Sequence, residues 1–349
     1  MADKDPDNKK DVCDNCGSIL PYMLSNWPKH MLRICPTCGT KIKKSSHFKQ
    51  ICGILIILCL IIVVGYLMVT NDLNLNNSLV KTIFPGPTIF SQTYPKEGGY
   101  TLKGAVGSLD LSPFSNSTLN NYLLTHQPQY SNSKAIYYKQ FLDNQNQKVE
   151  LSKLVDEIKS KTNNNEDRAR IAISFVQHIP YDTNKASIIS ANPTGSFSIR
   201  YPYQVLYDRE GICSEKSLLL AYLLRELGFG VALFSFDKEN HMAVGIKSSP
   251  DFAYKFSGYA FIESTQPTIV TDSNQDYVGV GKLTSDPEII EISKGLAFTN
   301  LNGENTDSKE LSELNAMGSP LDSYHYGRWL ILCDKYGINP DSANKPIYR

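Results

Sequence analysis

The sequence predicts an α+β fold behind a membrane anchor, and three observations predict it. GICSEKSLLLAYLLRELGFG, residues 211–230, is an apolar helix-like run opened by a Gly-containing turn and a cysteine. Three strand-like stretches follow, FGVALFSF at 229–236, HMAVGI at 241–246 and YAFIEST at 259–265. A helix packed on antiparallel strands buries the apolar faces of such a series. Upstream, ICGILIILCLIIVVGYLMVT at 51–70 runs for twenty residues without a charge. That is about 30 Å of helix, the hydrocarbon thickness of a bilayer.

The anchor also predicts a topology. Residues 1–50 carry nine Lys/Arg against five Asp/Glu, a net of +4, and the whole chain is neutral. Lys41, Lys43, Lys44 and Lys49 precede the span, and Asp72 follows it. Basic flanks stay in the cytoplasm, so the N-terminus is expected inside a cell membrane crossed once, with everything from about residue 71 outside. The sequons at Asn76 and Asn116 agree. Zero net charge gives no global pull on nucleic acid, and no nucleic-acid partner is expected.

In order, the chain is expected to hold a zinc ribbon (1–50), the transmembrane helix (51–70), a stalk rich in Asn, Pro, Gly and Ser (71–100) and an accessory β-rich segment (101–148). The cysteine-bearing domain (149–284) and a C-terminal accessory segment (285–349) complete it. In the domain, Leu151, Leu154, Val155 and Ile158 predict a helix over 149–162. Asn163 to Asn165 cap a second helix over 166–179, with Ile171, Ile173, Val176 and Ile179 facing a core. The cysteine helix runs from Cys213 to about Leu227, with Gly228 placed to end it.

The eight cysteines sort by compartment. Cys13, Cys16, Cys35 and Cys38 read C-D-N-C-G and C-P-T-C-G, two knuckles that can supply a tetrahedral four-thiolate zinc site. A reducing cytosol disfavours disulfides there. The site is closed and structural, and the ribbon is a candidate docking point for a cytoplasmic protein. Cys52 and Cys59 share one face of the span as small apolar residues. Cys213 and Cys333 remain outside. Cys333, in RWLILCDKYG, reads as core, with a Cys213–Cys333 disulfide as the alternative.

A reactive cysteine works as thiolate, which a helix N-terminus favours. It also needs a base and a group that orients the base. Of His126, His178, His241 and His325, His241 is best placed, at a strand start. Glu263, at the end of a neighbouring strand-like run, is the candidate partner. Tyr203 and Gln204, just upstream of the cysteine, are candidates for oxyanion binding or for simple turn packing, and the Cys213 amide is the better oxyanion donor.

The sequence GIC with its helix, then N-H-M-A-V-G-I, then a strand ending I-E-S-T-Q-P, resembles the transglutaminase-like superfamily in its prokaryotic and archaeal form. The resemblance covers about residues 150–275 and implies a papain-like core with a Cys-His-Asp triad. It makes Cys213 the nucleophile, His241 the base and Glu263 the acidic member. Glu263 before Ser-Thr departs from the usual Asp before Pro-Thr or Ala-Thr. Ser214-Glu215-Lys216-Ser217 also replaces a commoner acidic pair, which bears on substrate preference. The implied function is cysteine-dependent acyl transfer, most simply hydrolysis of a protein, peptide or cell-envelope amide, with no catalytic cofactor. The alternative is a non-catalytic surface binding or sensing module of the same fold.

Overall fold

The computed structural model describes residues 13, 15–19, 37, 38, 40 and 95, and residues 97–339 apart from 193, 194, 196, 276, 278, 279 and 319. The chain divides into two units, Met1–Gly86 and Pro87–Arg349. In the first, the Gly17 amide donates to the Cys13 carbonyl at 2.8 Å and the Cys13 amide to the Ser18 carbonyl at 2.9 Å. Gly17 sits at φ +69°, a conformation that glycine adopts freely and that lets the knuckle turn back. The span expected at 51–70 lies outside the described residues, as does most of the stalk. Among the described residues no helix is long and apolar enough to cross a membrane.

The second unit opens with a hairpin, β1 (Gly99–Leu102) and β2 (Ala105–Ser108). The rest of 101–148, expected to be β-rich, is helical: α1 (Ser117–Thr125) and α2 (Lys134–Leu142). Tyrosines at 137 and 138 suggest a strand because aromatics suit a half-buried pleated surface, but that preference yields to context. Here Ser133 caps the helix by accepting from the Ile136 amide, and Phe141 and Leu142 are buried in the main core.

Next come α3 (Gln145–Lys161) and α4 (Asn165–His178). The Asn164 side chain accepts from the Asp167 amide at 3.0 Å and starts α4. Leu151, Leu154, Val155, Ile158, Ile171, Ile173 and Val176 are buried as their spacing predicts. After α5 (Thr183–Ala191) and α6 (Pro202–Asp208) comes the central helix α7 (Cys213–Glu226). It ends as expected, with Gly228 at φ +93° just past it. Leu218, Leu219, Leu220, Leu223 and Leu224 of α7 are all enclosed. At about 2 kcal/mol each, their burial is worth on the order of 10 kcal/mol before chain entropy, so the cysteine's helix is rigidly seated.

The sheet runs β5-β4-β3-β6, antiparallel throughout, with β3 (Val231–Phe236), β4 (His241–Lys247), β5 (Tyr259–Ile262) and β6 (Glu288–Ser293). Side chains alternate across it. Val231, Leu233, Met242, Val244 and Ile246 join the core that holds α7. Ala232, Phe234, Phe236, Ala243, Phe261 and Tyr277 form a second cluster. Gly245 is required there, because a Cβ would stand 2.8 Å from the Phe234 ring. β6 pairs with β3, so the core sheet takes an edge strand from beyond residue 284, past the expected boundary. The C-terminal segment continues as α8 (Asn302–Ala316) and α9 (Ser323–Tyr336), packed around Leu311, Leu314, Trp329, Leu332 and Cys333.

Candidate active site

Cys213 is the first residue of α7, partly exposed and not in a disulfide. The residue before it, Ile212, has no side-chain acceptor to offer the helix end. Glu215 does that work from inside: its enclosed carboxylate accepts from the Ile212 amide at 3.0 Å. The same carboxylate accepts from the Arg200 amide at 2.8 Å and from Arg200 Nη1 at 3.0 Å, and it pairs with Lys185. Arg200 also holds Asp182 at 2.8 Å and Asp208 at 2.7 Å. The start of α7 is therefore pinned by charge, with its dipole end behind the thiol.

His241 opens β4, and β5 pairs with β4 up to Ile262. Glu263 comes one residue after β5, where the chain leaves the ladder. Its two oxygens have separate tasks. Oε2 accepts from His241 Nε2 at 2.8 Å, and both side chains are fully enclosed. Oε1 accepts from the Ser264 amide at 2.9 Å, the Thr265 amide at 2.8 Å and the Thr265 hydroxyl at 2.7 Å. A carboxylate so surrounded is held ionised. Burial works to raise Glu263, but the charge of His241 and these donors hold it below the usual carboxylate range. Burial likewise works against the His241 imidazolium, but the Glu263 charge and then Cys213 carry it up to about 10.

An ionised Glu263 places the ring proton on Nε2. His241 Nδ1 is buried without a hydrogen-bond partner in the protein, and the remaining polar neighbour acting on the ring is the Cys213 thiol. Tyr277 stacks over the imidazole at 6.2 Å between centroids, 13° from parallel. The structure thus pairs His241 with Glu263 and places the partly exposed Cys213 thiol near enough to act on the ring.

Tyr203 and Gln204 are spent elsewhere. Gln204 bonds the Tyr201 amide and Asn120, and Tyr203 bonds Asn116 and Gln147, so both fasten α6 to α1 and α3. Cys333 is core as expected, and burial pushes its thiol up to about 12. Cys213 and Cys333 are both free thiols.

Four neighbours of the site escape a reading of the sequence. Gln177 Nε2 donates to the Glu263 carbonyl at 2.8 Å. The Tyr181 hydroxyl stands against the Cys213 amide, and its backbone forms an isolated bridge with Gly211. Tyr277 covers His241. Lys216 is fully buried, and its ammonium is ringed by carbonyls. Only Lys216 leaves a signal in the sequence: a cation three residues from the cysteine, at the start of the leucine-rich run of α7.

In the N-terminal unit, the thiols of Cys13, Cys16 and Cys38 lie within 4.8 Å of one another, and the Cys13 and Cys38 sulfurs are 3.7 Å apart. Thiolates bound at about 2.3 Å on a tetrahedral ion stand about 3.8 Å apart, so the cluster fits a metal ion. Hydrogen bonds from Thr40 lead in lowering the exposed Cys38 thiol to about 6, toward the thiolate a metal needs. Cys35, the expected fourth ligand, lies outside the described residues.

No curated protein matches the chain. Residues 149–269, the stretch that contains Cys213, His241 and Glu263, match the family model of a transglutaminase-like domain, a fold of generally cysteine-dependent enzymes.

Proposed function

We propose that the Pro87–Arg349 unit is a cysteine-dependent acyl-transfer enzyme that hydrolyses peptide or amide bonds. The carrying observation is the enclosed His241–Glu263 pair, which occupies Nε2 and leaves His241 Nδ1 to serve the Cys213 thiol that acts on the ring. Cys213 sulfur attacks the amide carbonyl carbon and forms a C–S bond. The thiol proton, held on His241 Nδ1, passes to the amide nitrogen as the C–N bond breaks and the amine leaves. Water, giving a proton to His241, then attacks the thioester carbon. The acid departs and the sulfur recovers its proton. Glu263 stays ionised throughout and holds the ring.

The rest of the reading is proposed on the sequence. A membrane span at 51–70 tethers the enzyme on the outer face of a cell membrane, where a protein, peptide or envelope amide is within reach. The four thiolates of Cys13, Cys16, Cys35 and Cys38 hold a structural zinc in the cytoplasm, where the ribbon can meet a protein partner.

The test needs no substrate. Alkylation of Cys213 in the full chain is followed by mass spectrometry of the peptide that begins at Glu210. At pH 6 it is expected to run at least about tenfold faster than for a free thiol, and His241→Ala is expected to abolish the advantage. Slow labelling that His241→Ala leaves unchanged would favour a binding module instead.

A further inference from the structure

Lys216 sits one turn into α7, three residues after Cys213, with no exposed surface. Its ammonium donates to the Gln177 carbonyl at 3.3 Å, the Ile179 carbonyl at 2.5 Å and the Thr265 carbonyl at 2.9 Å. Three acceptors use all three protons of a charged amine. Two of them end α4, whose last carbonyls lack helical partners and carry the negative end of its dipole. Lys216 is therefore a C-terminal cap supplied by another helix.

The third acceptor gives the cap a reach into the site. Thr265 offers its carbonyl to Lys216, while its amide and hydroxyl both donate to Glu263 Oε1. One residue thus stands between the ammonium and the carboxylate. From the α4 side, Gln177 holds the Glu263 and Thr268 carbonyls. Among the described residues Glu263 has no cation in direct contact except His241, and Lys216 is the second positive charge acting across the turn. With a thiolate at the partly exposed Cys213, these four groups carry two positive and two negative charges. Lys216 directly precedes Ser217 and the buried leucines of α7, and burying an amine there is costly unless its charge is matched.

We propose that Lys216 is a positioning residue, which fixes the Thr265 turn and through it the Glu263 carboxylate against the helix that carries Cys213. The proposal rests on the reading of Cys213, His241 and Glu263 as the reacting set. Lys216 acts on Cys213 through Glu263 and His241, so its contribution exists only while Glu263 is charged. A residue that merely filled space would act independently of that charge.

The groups facing the ammonium are Glu263 after β5 and His178 on α4, with His241 of β4 beyond Glu263. Burial lowers Lys216 to about 7, so it loses its charge and one of its three donors, and its hold on Thr265 weakens, over the range from neutral to mildly basic pH.

The experiment is a double-mutant cycle on the full chain, read as the rate of Cys213 alkylation at pH 6. Lys216→Met keeps the length and removes the charge, and it is expected to slow labelling about tenfold. Placed on Glu263→Gln it should add less than about twofold, because both changes break the same linkage. A tenfold effect that persists in full on the Glu263→Gln background would overturn the proposal, as would no effect in the single variant. Should the variant not fold, the wild-type chain serves. Protection of the Thr265 amide from hydrogen exchange should fall between pH 6 and pH 9 beyond the ordinary base-catalysed rise, and unchanged protection would overturn the proposal. A wild-type Cys213 that labels like a free thiol, indifferent to His241→Ala, would defeat the parent reading, and the proposal with it, without any Lys216 variant.

Discussion

His241 Nε2 and Glu263 Oε2 stand 2.8 Å apart, and neither side chain has any surface open to solvent. An ion pair so enclosed is costly to assemble and more costly to break from one side, because the survivor keeps its burial and loses its partner.

Glu263→Ala is therefore expected to destabilise the fold by about 3–5 kcal/mol, read from urea unfolding. Glu263→Gln keeps the shape and removes the charge. Burial then governs His241, and its imidazole should titrate below neutral pH instead of near 10. Nitrogen chemical shifts of the ring report this directly. A ring still charged at pH 8 in Glu263→Gln would refute the assignment of the pair.

The pH dependence of stability carries two opposed contributions. His241 is raised to about 10, so its stabilising charge is complete below its ordinary 6.5 and is lost as pH climbs to 10. Lys216 is lowered to about 7, so the cost of its buried charge is complete below 7 and is relieved as pH climbs to 10.5. Between pH 7 and pH 10 the two slopes offset. Lys216→Met removes the relief, and its stability should fall against wild type by up to about 1.4 kcal/mol per pH unit in that window. Urea midpoints at pH 7, 8 and 9 check it. Parallel curves would sink the idea.

Arg200 holds Asp182, Asp208, Glu210 and Glu215 with one guanidinium. Arg200→Met leaves the enclosed Glu215 carboxylate matched by Lys185 alone, and a loss of about 3–5 kcal/mol is expected. Arg200→Lys should recover only part of it, since a point charge cannot serve four carboxylates in a plane. Full recovery would show that charge alone, without the fork, pins the start of α7.

At the other end of the chain, metal analysis of the purified protein should find a single zinc ion, released by chelation or by thiol-directed mercurial. Cys38→Ser should lose it, and the knuckle around Gly17 should lose its order with it. A chain that folds its N-terminus identically without metal would remove zinc from the account.

Much of this was legible from residue order alone. The α7 run announced itself by its leucines and Gly228. The two helices before it showed their buried faces at the expected spacing. Cys213, His241 and Glu263 could be picked out as candidates, because a helix start, a strand start and a strand end are places where backbone direction dictates what a side chain can meet. The α2 segment misled, because tyrosines suit strands and helices alike until packing chooses. The edge strand β6 was missed because its alternation is weak and its partner, β3, lies some fifty residues earlier.

What the sequence by itself determined is the pair of helices before α7, α7 itself, the strands that follow it, the cysteine knuckles and a candidate thiol, base and acid, which rest on local periodicity, spacing and the family resemblance. Only the tertiary structure decided what those groups are to one another. It set which ring nitrogen of His241 meets Glu263, turned Glu263 back on its own following amides, spent Tyr203 and Gln204 on packing and enclosed Lys216 among three carbonyls. Those outcomes depend on burial and on contacts across long separations, and a charge has its chemistry set by the dielectric and partners around it.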